Sequence, residues 1–265
     1  MPADCNHPAF DQPLDTAIPV WRYMDFAKYV AMLEASSLHF SRLDLLGDPF
    51  EGSLSKAEFD RLSELAKRSE EEGTLPDRWK GRYLDVLLHS ARAGRKQNYV
   101  SCWHMNFGES EAMWHLYSES GYAIAVQSTY EALAQSLPSL YGPVDHRGPF
   151  LGVVRYVNHH EEVLREGNMF HAVMQKRISF THERECRAVV WRCGDRNDGE
   201  QIPLDLLETY LPSISLAVDF ALLIHRVVVA PSAPTWFADL VGSVTKRYGL
   251  PVPVIKSDLA CSPYL

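Results

Sequence analysis

Apolar and polar positions change their period several times along this chain, and each change marks an element. Val20 to Met24 reads as a short strand, Phe26 to Ser36 as a helix aligning Phe26, Tyr29, Val30 and Leu33, and Leu38 to Ser41 as a second strand. Two helical stretches follow, Lys56 to Glu72 and Asp77 to Ala93, divided by the break Gly73-Thr74-Leu75-Pro76. Asn98 to His104 and Gly121 to Gln127 read as strands around a short helix from Glu109 to Ser118. A polar, proline-containing connection through Pro149 leads to a strand at Gly152 to Val157, a helix at Glu161 to Lys176 and a strand opened by Glu183. In the last third, strand-like Arg226 to Ala230, a helix from Pro234 to Tyr248 stopped by Gly249, and strand-like Val252 to Lys256 make a βαβ unit.

These elements are short, unevenly spaced and free of any repeat, so the expected class is α+β: a mixed, mostly antiparallel sheet flanked by helices. Residues 1–18 carry Pro2, Pro8 and Pro13 without a periodic apolar face and are expected to form a flexible lead-in. Residues 19–265 offer no linker that divides them, and 56–96 reads as a helical insertion between strands.

Composition narrows the function classes. The 265 residues are 46% hydrophobic, enough for a substantial core, and carry a net charge of -8. A field of that sign opposes nonspecific binding to nucleic acid or to anionic membranes. Arg78, Lys80, Arg82, Arg92, Arg95 and Lys96 cluster locally, either as a nucleic-acid contact or as an ordinary solvated helix face. Five scattered cysteines and the absence of a basic-then-apolar leader suggest a reducing cytoplasm. The longest apolar stretch, Ala217 to Ala230, is interrupted by Asp219, His225 and Arg226 and is too short for a membrane span. Dinucleotide, phosphate-loop, nucleophile-elbow and zinc-protease signatures are missing. Cys102 and His104, with a distant His115 or Cys186, have no recognised ligand spacing, so no metal is expected, and Cys102 lacks an evident base to make it a nucleophile.

The candidate chemistry lies in Glu183-Arg184-Glu185-Cys186-Arg187. On a strand of period two, Glu183, Glu185 and Arg187 share a face, with the two carboxylates about 7 Å apart. Two such acids at the mouth of an apolar strand repel each other, and burial raises at least one pKa. The competing reading is a structural ion pair with Arg187. Gly47-Asp48-Pro49-Phe50-Glu51 is open in the same way: Asp48 as helix cap with Glu51 at the third position accounts for both carboxylates without catalysis.

Seven short motifs occur in order: Trp21-Arg22-Tyr23, Leu38-His39-Phe40-Ser41, Asp48-Pro49-Phe50-Glu51, Ser101-Cys102-Trp103, Met113 to Ser118, Gly121-Tyr122-Ala123-Ile124 and Glu183 to Arg187. Together they resemble a widespread bacterial family of unknown function, which implies no reaction. The order of Arg22, Ser41 or Ser101, and Glu183 with Glu185 also resembles ADP-ribosyltransferases of the Arg-Ser-Glu class. That resemblance implies a fold of that class and NAD as substrate without a metal. Arg22 would clamp a pyrophosphate, Ser41 or Ser101 would supply the hydroxyl, and Tyr23, Trp114 or Tyr117 would stack on a base. Glu185 would stabilise an oxocarbenium while Glu183 orients or deprotonates an acceptor, either protein or nucleic acid. By analogy such an enzyme would be a transferase or NAD glycohydrolase, acting as a toxin or in phage defence. The alternatives are a noncatalytic nucleotide-sensing or partner-binding module and a nucleic-acid-processing factor.

Overall fold

The computed structural model describes residues 3–117, 121–140, 146–163, 168–193 and 203–261. In chain order the elements are Pro19–Asp25 (β1), Phe26–Ala35 (α1), Ser37–Arg42 (β2), Lys56–Glu71 (α2), Tyr83–Gln97 (α3), Asn98–Met105 (β3), Glu111–Tyr117 (α4), Ala123–Thr129 (β4), Tyr130–Ser136 (α5) and His146–Val153 (β5). Arg155–Val157 (β6), Phe170–Val173 (α6), Gln175–Arg177 (β7), Glu185–Arg192 (β8), Leu204–Glu208 (α7), Ser213–Ala217 (β9), Phe220–Leu223 (α8), Arg226–Val229 (β10), Thr235–Arg247 (α9) and Val254–Lys256 (β11) follow.

A nine-stranded, mostly antiparallel sheet flanked by helices organises these elements, as the periodicity predicts. Its main path runs β11-β10-β4-β1-β3-β2-β9, and β8 joins the other edge of β3 with β5 beyond it. The C-terminal βαβ unit is present, because β10 and β11 pair in parallel across α9. Helix α9 turns Phe237, Val241 and Thr245 inward at a four-residue spacing, and the Tyr29 hydroxyl on α1 meets Thr245 Oγ1 at 2.9 Å.

Strand β3 is the pivot. Strand β8 follows it from Asn98 opposite Trp191 to His104 opposite Glu185. On the other edge two strands share it: β1 pairs only at Met105 and His104, and β2 only at Val100 and Tyr99. Both run antiparallel to β3, so β1 and β2 are parallel to each other, joined by the α1 crossover, and part company opposite Ser101–Trp103. The sheet forks there.

Several expectations change. Residues 3–18 do not hang free: Asp4 N donates to Pro149 O (2.8 Å), Leu151 N to Asp4 O (3.2 Å) and Val153 N to Asp11 O (2.8 Å). Phe10 stacks on Phe150 at 5.2 Å and touches Phe170 at 5.4 Å. A segment that docks through its backbone on a sheet edge needs no periodic apolar face, which is why the sequence pattern misses it. The connection through Pro149 contains β5, with Gly148 and Pro149 accommodated in a break of register between Arg147 and Phe150. Residues 141–145 of that connection, Ser118 at the end of the expected helix, and 164–167 of the expected Glu161 to Lys176 helix lie outside the described residues. Elsewhere in that last stretch the chain is helical only over α6 and then forms β7, which pairs in parallel with β6. The apolar spacing there serves an aromatic cluster of Phe10, Phe150 and Phe170 rather than a long helix. Asp48 caps no helix, because residues 49–52 form turns.

Gly152 shows how closely the lead-in sits. A Cβ at this position would lie 2.8 Å from Phe10 Cβ and 2.9 Å from Phe10 Cα. Gly152→Ala is therefore expected to lower unfolding stability by roughly 1–3 kcal/mol in urea titration and to raise protease cleavage within residues 3–18. Unchanged stability with unchanged cleavage would contradict this packing.

Candidate functional site

The chain reverses sharply ahead of β8. A 3-10 turn spans Ile178–Glu183, Arg184 takes a left-handed conformation with φ 40°, and only Glu185 begins the strand. Such a conformation is unfavourable for a residue with a Cβ and persists where neighbours hold it. His104 Nδ1 contacts Glu183 O at 2.6 Å, Met105 N donates to Arg184 O at 2.8 Å, and Glu185 N donates to the Tyr156 hydroxyl at 2.8 Å. Consequently Glu183, Glu185 and Arg187 do not share a strand face. Glu185 and Arg187 do; Glu183 reaches them from the turn.

Five charged side chains meet here. Arg187, fully buried, donates from Nε to Glu185 Oε1 (2.6 Å) and from Nη2 to Glu185 Oε2 (3.1 Å) and Glu51 Oε2 (2.6 Å). Its Nη1 donates to Val173 O at 2.6 Å. Lys176 Nζ lies 3.0 Å from Glu51 Oε1, 2.7 Å from Glu183 Oε2 and 3.5 Å from Glu185 Oε2. Beside them Arg177 holds Asp48 through two hydrogen bonds of 2.9 and 2.8 Å and lies over the Phe50 ring. Asp48 and Glu51 thus belong to an ionic cluster and not to a capping box. Three carboxylates against Lys176 and Arg187 leave one negative charge in excess.

Their environments push the two acids apart. Burial opposes ionisation of Glu185, but bidentate Arg187 and then Lys176 hold its carboxyl below the ordinary range. Burial raises Glu183, and Lys176 only partly offsets it, because Glu185 and Glu51 add repulsion. Exposure divides them as well: Glu185 is 2% accessible, whereas the Glu183 side chain keeps 14% and forms the cluster's opening to solvent. The ion pair with Arg187, one of the two readings of the sequence, is present, and it closes Glu185 off. Cys102, opposite Arg187 on β3, has its thiol pushed well above the ordinary value by burial and by Glu185, which removes it as a nucleophile.

Arg22 occupies the fork. Its Nη1 donates to Ser101 Oγ at 2.5 Å, its Nη2 to His39 O at 3.1 Å, and its guanidinium lies 5.7 Å from the Trp103 ring centre. Strand register puts Arg22 and Ser101 on one face and Cys102, Arg187 and Glu185 on the other. Burial lowers the Arg22 pKa, while the Cys102 thiol and the Tyr117 hydroxyl, both within electrostatic range, act in the opposite sense. Tyr117 in turn is raised by burial and by Glu183, Cys102 and Glu185. One phenol is thus within electrostatic range of both the arginine and the acids.

The remaining residues singled out by sequence separate clearly. Ser101, not Ser41, meets Arg22; Ser41 lies on β2 opposite Val100. Tyr23 and Trp114 are core residues, 5% and 3% accessible, in edge contact at 4.8 Å, with the Tyr23 hydroxyl accepting from Ser110 N and Trp114 Nε1 donating to Glu109. Tyr117, 42% accessible, remains available to a ligand. Sequence reasoning missed Lys176, Arg177 and the ionic role of Glu51. The only signal was the Asp48-Pro49-Phe50-Glu51 motif itself, since Lys176 closes the segment read as helix and Arg177 falls just past it. Among the described residues no three His, Cys, Asp or Glu side chains gather as a metal site.

No known protein family's profile matches the chain, and no curated protein matches it. Among solved structures, Thermus sp. 2.9 DarT in complex with NAD+ is similar at a TM-score of 0.39 and 9% identity, over 95% of this chain and 100% of that one. Thermus sp. 2.9 DarT in complex with ADP-ribosylated ssDNA gives a TM-score of 0.38 and 9% identity, over 93% and 96%. Among the described residues no helix is long and apolar enough to cross a membrane.

The charge excess makes the acids unequal in a measurable way. Glu185→Gln leaves Arg187 short of a buried partner and is expected to cost about 3–5 kcal/mol, whereas Glu183→Gln balances the cluster and is expected to be neutral or stabilising at pH 7. Equal losses in chemical denaturation would refute this account. The pH dependence carries a second sign. Glu183, raised on folding, stabilises below its unfolded pKa and loses that contribution as pH rises through the folded value, while Glu185, depressed, loses its contribution as pH falls. Glu183→Gln should therefore abolish the decline in stability with rising pH just above the ordinary carboxylate range, and a retained decline in pH-dependent melting would assign it elsewhere.

Proposed function

We propose that this protein binds a dinucleotide such as NAD at the fork between β1 and β2 and breaks its N-glycosidic bond, as an ADP-ribosyltransferase or NAD glycohydrolase. The observation that carries the reading is Arg22, held at the fork by Ser101 and His39 one residue along β1 from Trp21, which lies level with His104 and Glu185. Arg22, already oriented by Ser101 and His39, is the phosphate ligand: a planar fork of donors suits two phosphate oxygens better than an ammonium does. Glu183 is the carboxylate presented to the substrate, and Glu185 acts from behind it as a permanently ionised charge.

The chemistry follows from that division. The bond between the ribose C1′ and the nicotinamide nitrogen breaks, and its electron pair leaves with nicotinamide, which becomes neutral. Positive charge then develops on the ribose, where the excess negative charge of the cluster stabilises it. Water or an acceptor oxygen or nitrogen forms the new bond to C1′ and gives its proton to Glu183, whose raised pKa suits a general base. No metal is needed for any of these steps.

Release of nicotinamide from NAD by the purified protein tests the reading, with and without protein or nucleic-acid acceptors. Glu183→Gln is expected to reduce kcat about 10²–10⁴-fold. Arg22→Lys is expected to raise KM more than it lowers kcat, because it weakens phosphate binding. Saturable NAD binding without nicotinamide release would instead mark a noncatalytic nucleotide module.

A further inference from the structure

A groove of about 690 Å³ opens where the end of β1 and the start of α1 face α4 and α9. Its walls are aromatic. Trp236 and Tyr122, 55% and 44% accessible, lie 5.6 Å apart, Phe237 stands edge-on to Tyr122 at 5.3 Å, and Phe26 packs on Phe237 at 5.2 Å. Large side chains left this open in one place mark a ligand surface more often than chance exposure. Tyr117 lines the groove as well.

Order along β1 gives the groove a meaning. Trp21 lies at the level of His104 and Glu185, Arg22 follows, and Met24 and Asp25 enter the groove wall about 10 Å further on at ~3.4 Å per residue. Along the strand direction the levels of the acids, the guanidinium and the aromatic groove succeed one another, the acids on the opposite face of the sheet from the guanidinium, and this is the order of glycosidic bond, phosphates and second base in a dinucleotide. Charge assigns the ends: a cationic pyridinium suits the negative cluster, and a neutral ring suits a groove whose charged lining groups among the described residues, Lys28 and Asp25, pair with each other at 3.8 Å. We propose that this groove receives the adenine ring, stacked against Trp236 and Tyr122. The assignment rests on the dinucleotide reading above.

AMP and nicotinamide mononucleotide serve as separate probes. Trp236 is the most exposed tryptophan among the described residues, so AMP should quench fluorescence saturably, and Trp236→Phe should remove the quench while calorimetry still records AMP binding. Trp236→Ala and Tyr122→Ala should each weaken AMP about tenfold and nicotinamide mononucleotide less than about twofold. Unchanged AMP affinity in both variants, or equal weakening of both probes, overturns the assignment. The two readings fail differently: AMP bound at Trp236 without nicotinamide release from NAD keeps the groove and removes the transfer chemistry. Nicotinamide release with an unchanged KM for NAD in both alanine variants does the reverse.

Discussion

Arg187 and Lys176 hold Glu51, Glu183 and Glu185 largely out of water, and the local chain path follows from the need to pair them. An unpaired ion in such a setting costs several kcal/mol, so every segment that brings a charge must arrive in register with its partner. Glu51 comes from a turn, Lys176 from β7, Glu183 from a 3-10 turn, and Glu185 and Arg187 from β8. The left-handed Arg184 is the conformational cost of seating Glu183 and Glu185 in one cluster. His104 and Met105 on β3 hold that reversal in place, which couples the acids to the pivot strand.

The same pivot strand produces the fork. β3 cannot keep both β1 and β2 on one edge along its whole length, so it pairs with each for two residues and leaves Ser101–Trp103 uncovered between them. An arginine at this spot finds a hydroxyl and a carbonyl for its donors, and is anchored without a carboxylate partner among the described residues. Arg187, by contrast, is saturated by Glu185, Glu51 and Val173. Two arginines of identical chemistry therefore take opposite roles. One is a buried counter-ion, and the other is held by a hydroxyl and a carbonyl alone among the described residues.

Local periodicity made the early strands, α1 and the C-terminal βαβ unit legible, because each buries a regular stripe or face. Elements defined by long-range pairing were not. β5 contains Gly148 and Pro149, β9 is only half-buried, and the lead-in docks through backbone hydrogen bonds that leave no pattern in residue type. Within the site, the pairing of Glu185 with Arg187 was readable from residue type and order. Which carboxylate faces solvent was not, since that depends on one positive φ at Arg184 that a period-two reading of the strand cannot anticipate. Likewise Tyr23, Trp114 and Tyr117 are equivalent as aromatic letters, and only burial distinguishes two core rings from one exposed ring.

The negative excess is the step that joins structure to chemistry. A cluster built only for stability would gain from balance, and replacing Glu183 by a neutral residue would supply it. Keeping a third carboxylate makes the region a standing attractor for positive charge, offset at rest by the raised pKa of Glu183. At about 4 Å and an effective dielectric constant near 20, one unit charge is worth about 4 kcal/mol to a cation formed beside it, roughly a thousandfold in rate. A bound pyridinium cation already feels part of that attraction, and only the part gained as positive charge moves from the pyridinium onto the ribose lowers the barrier. The same imbalance that weakens the resting fold would therefore favour a cationic transition state, with Arg187 and then Lys176 holding the Glu185 carboxyl below its ordinary range.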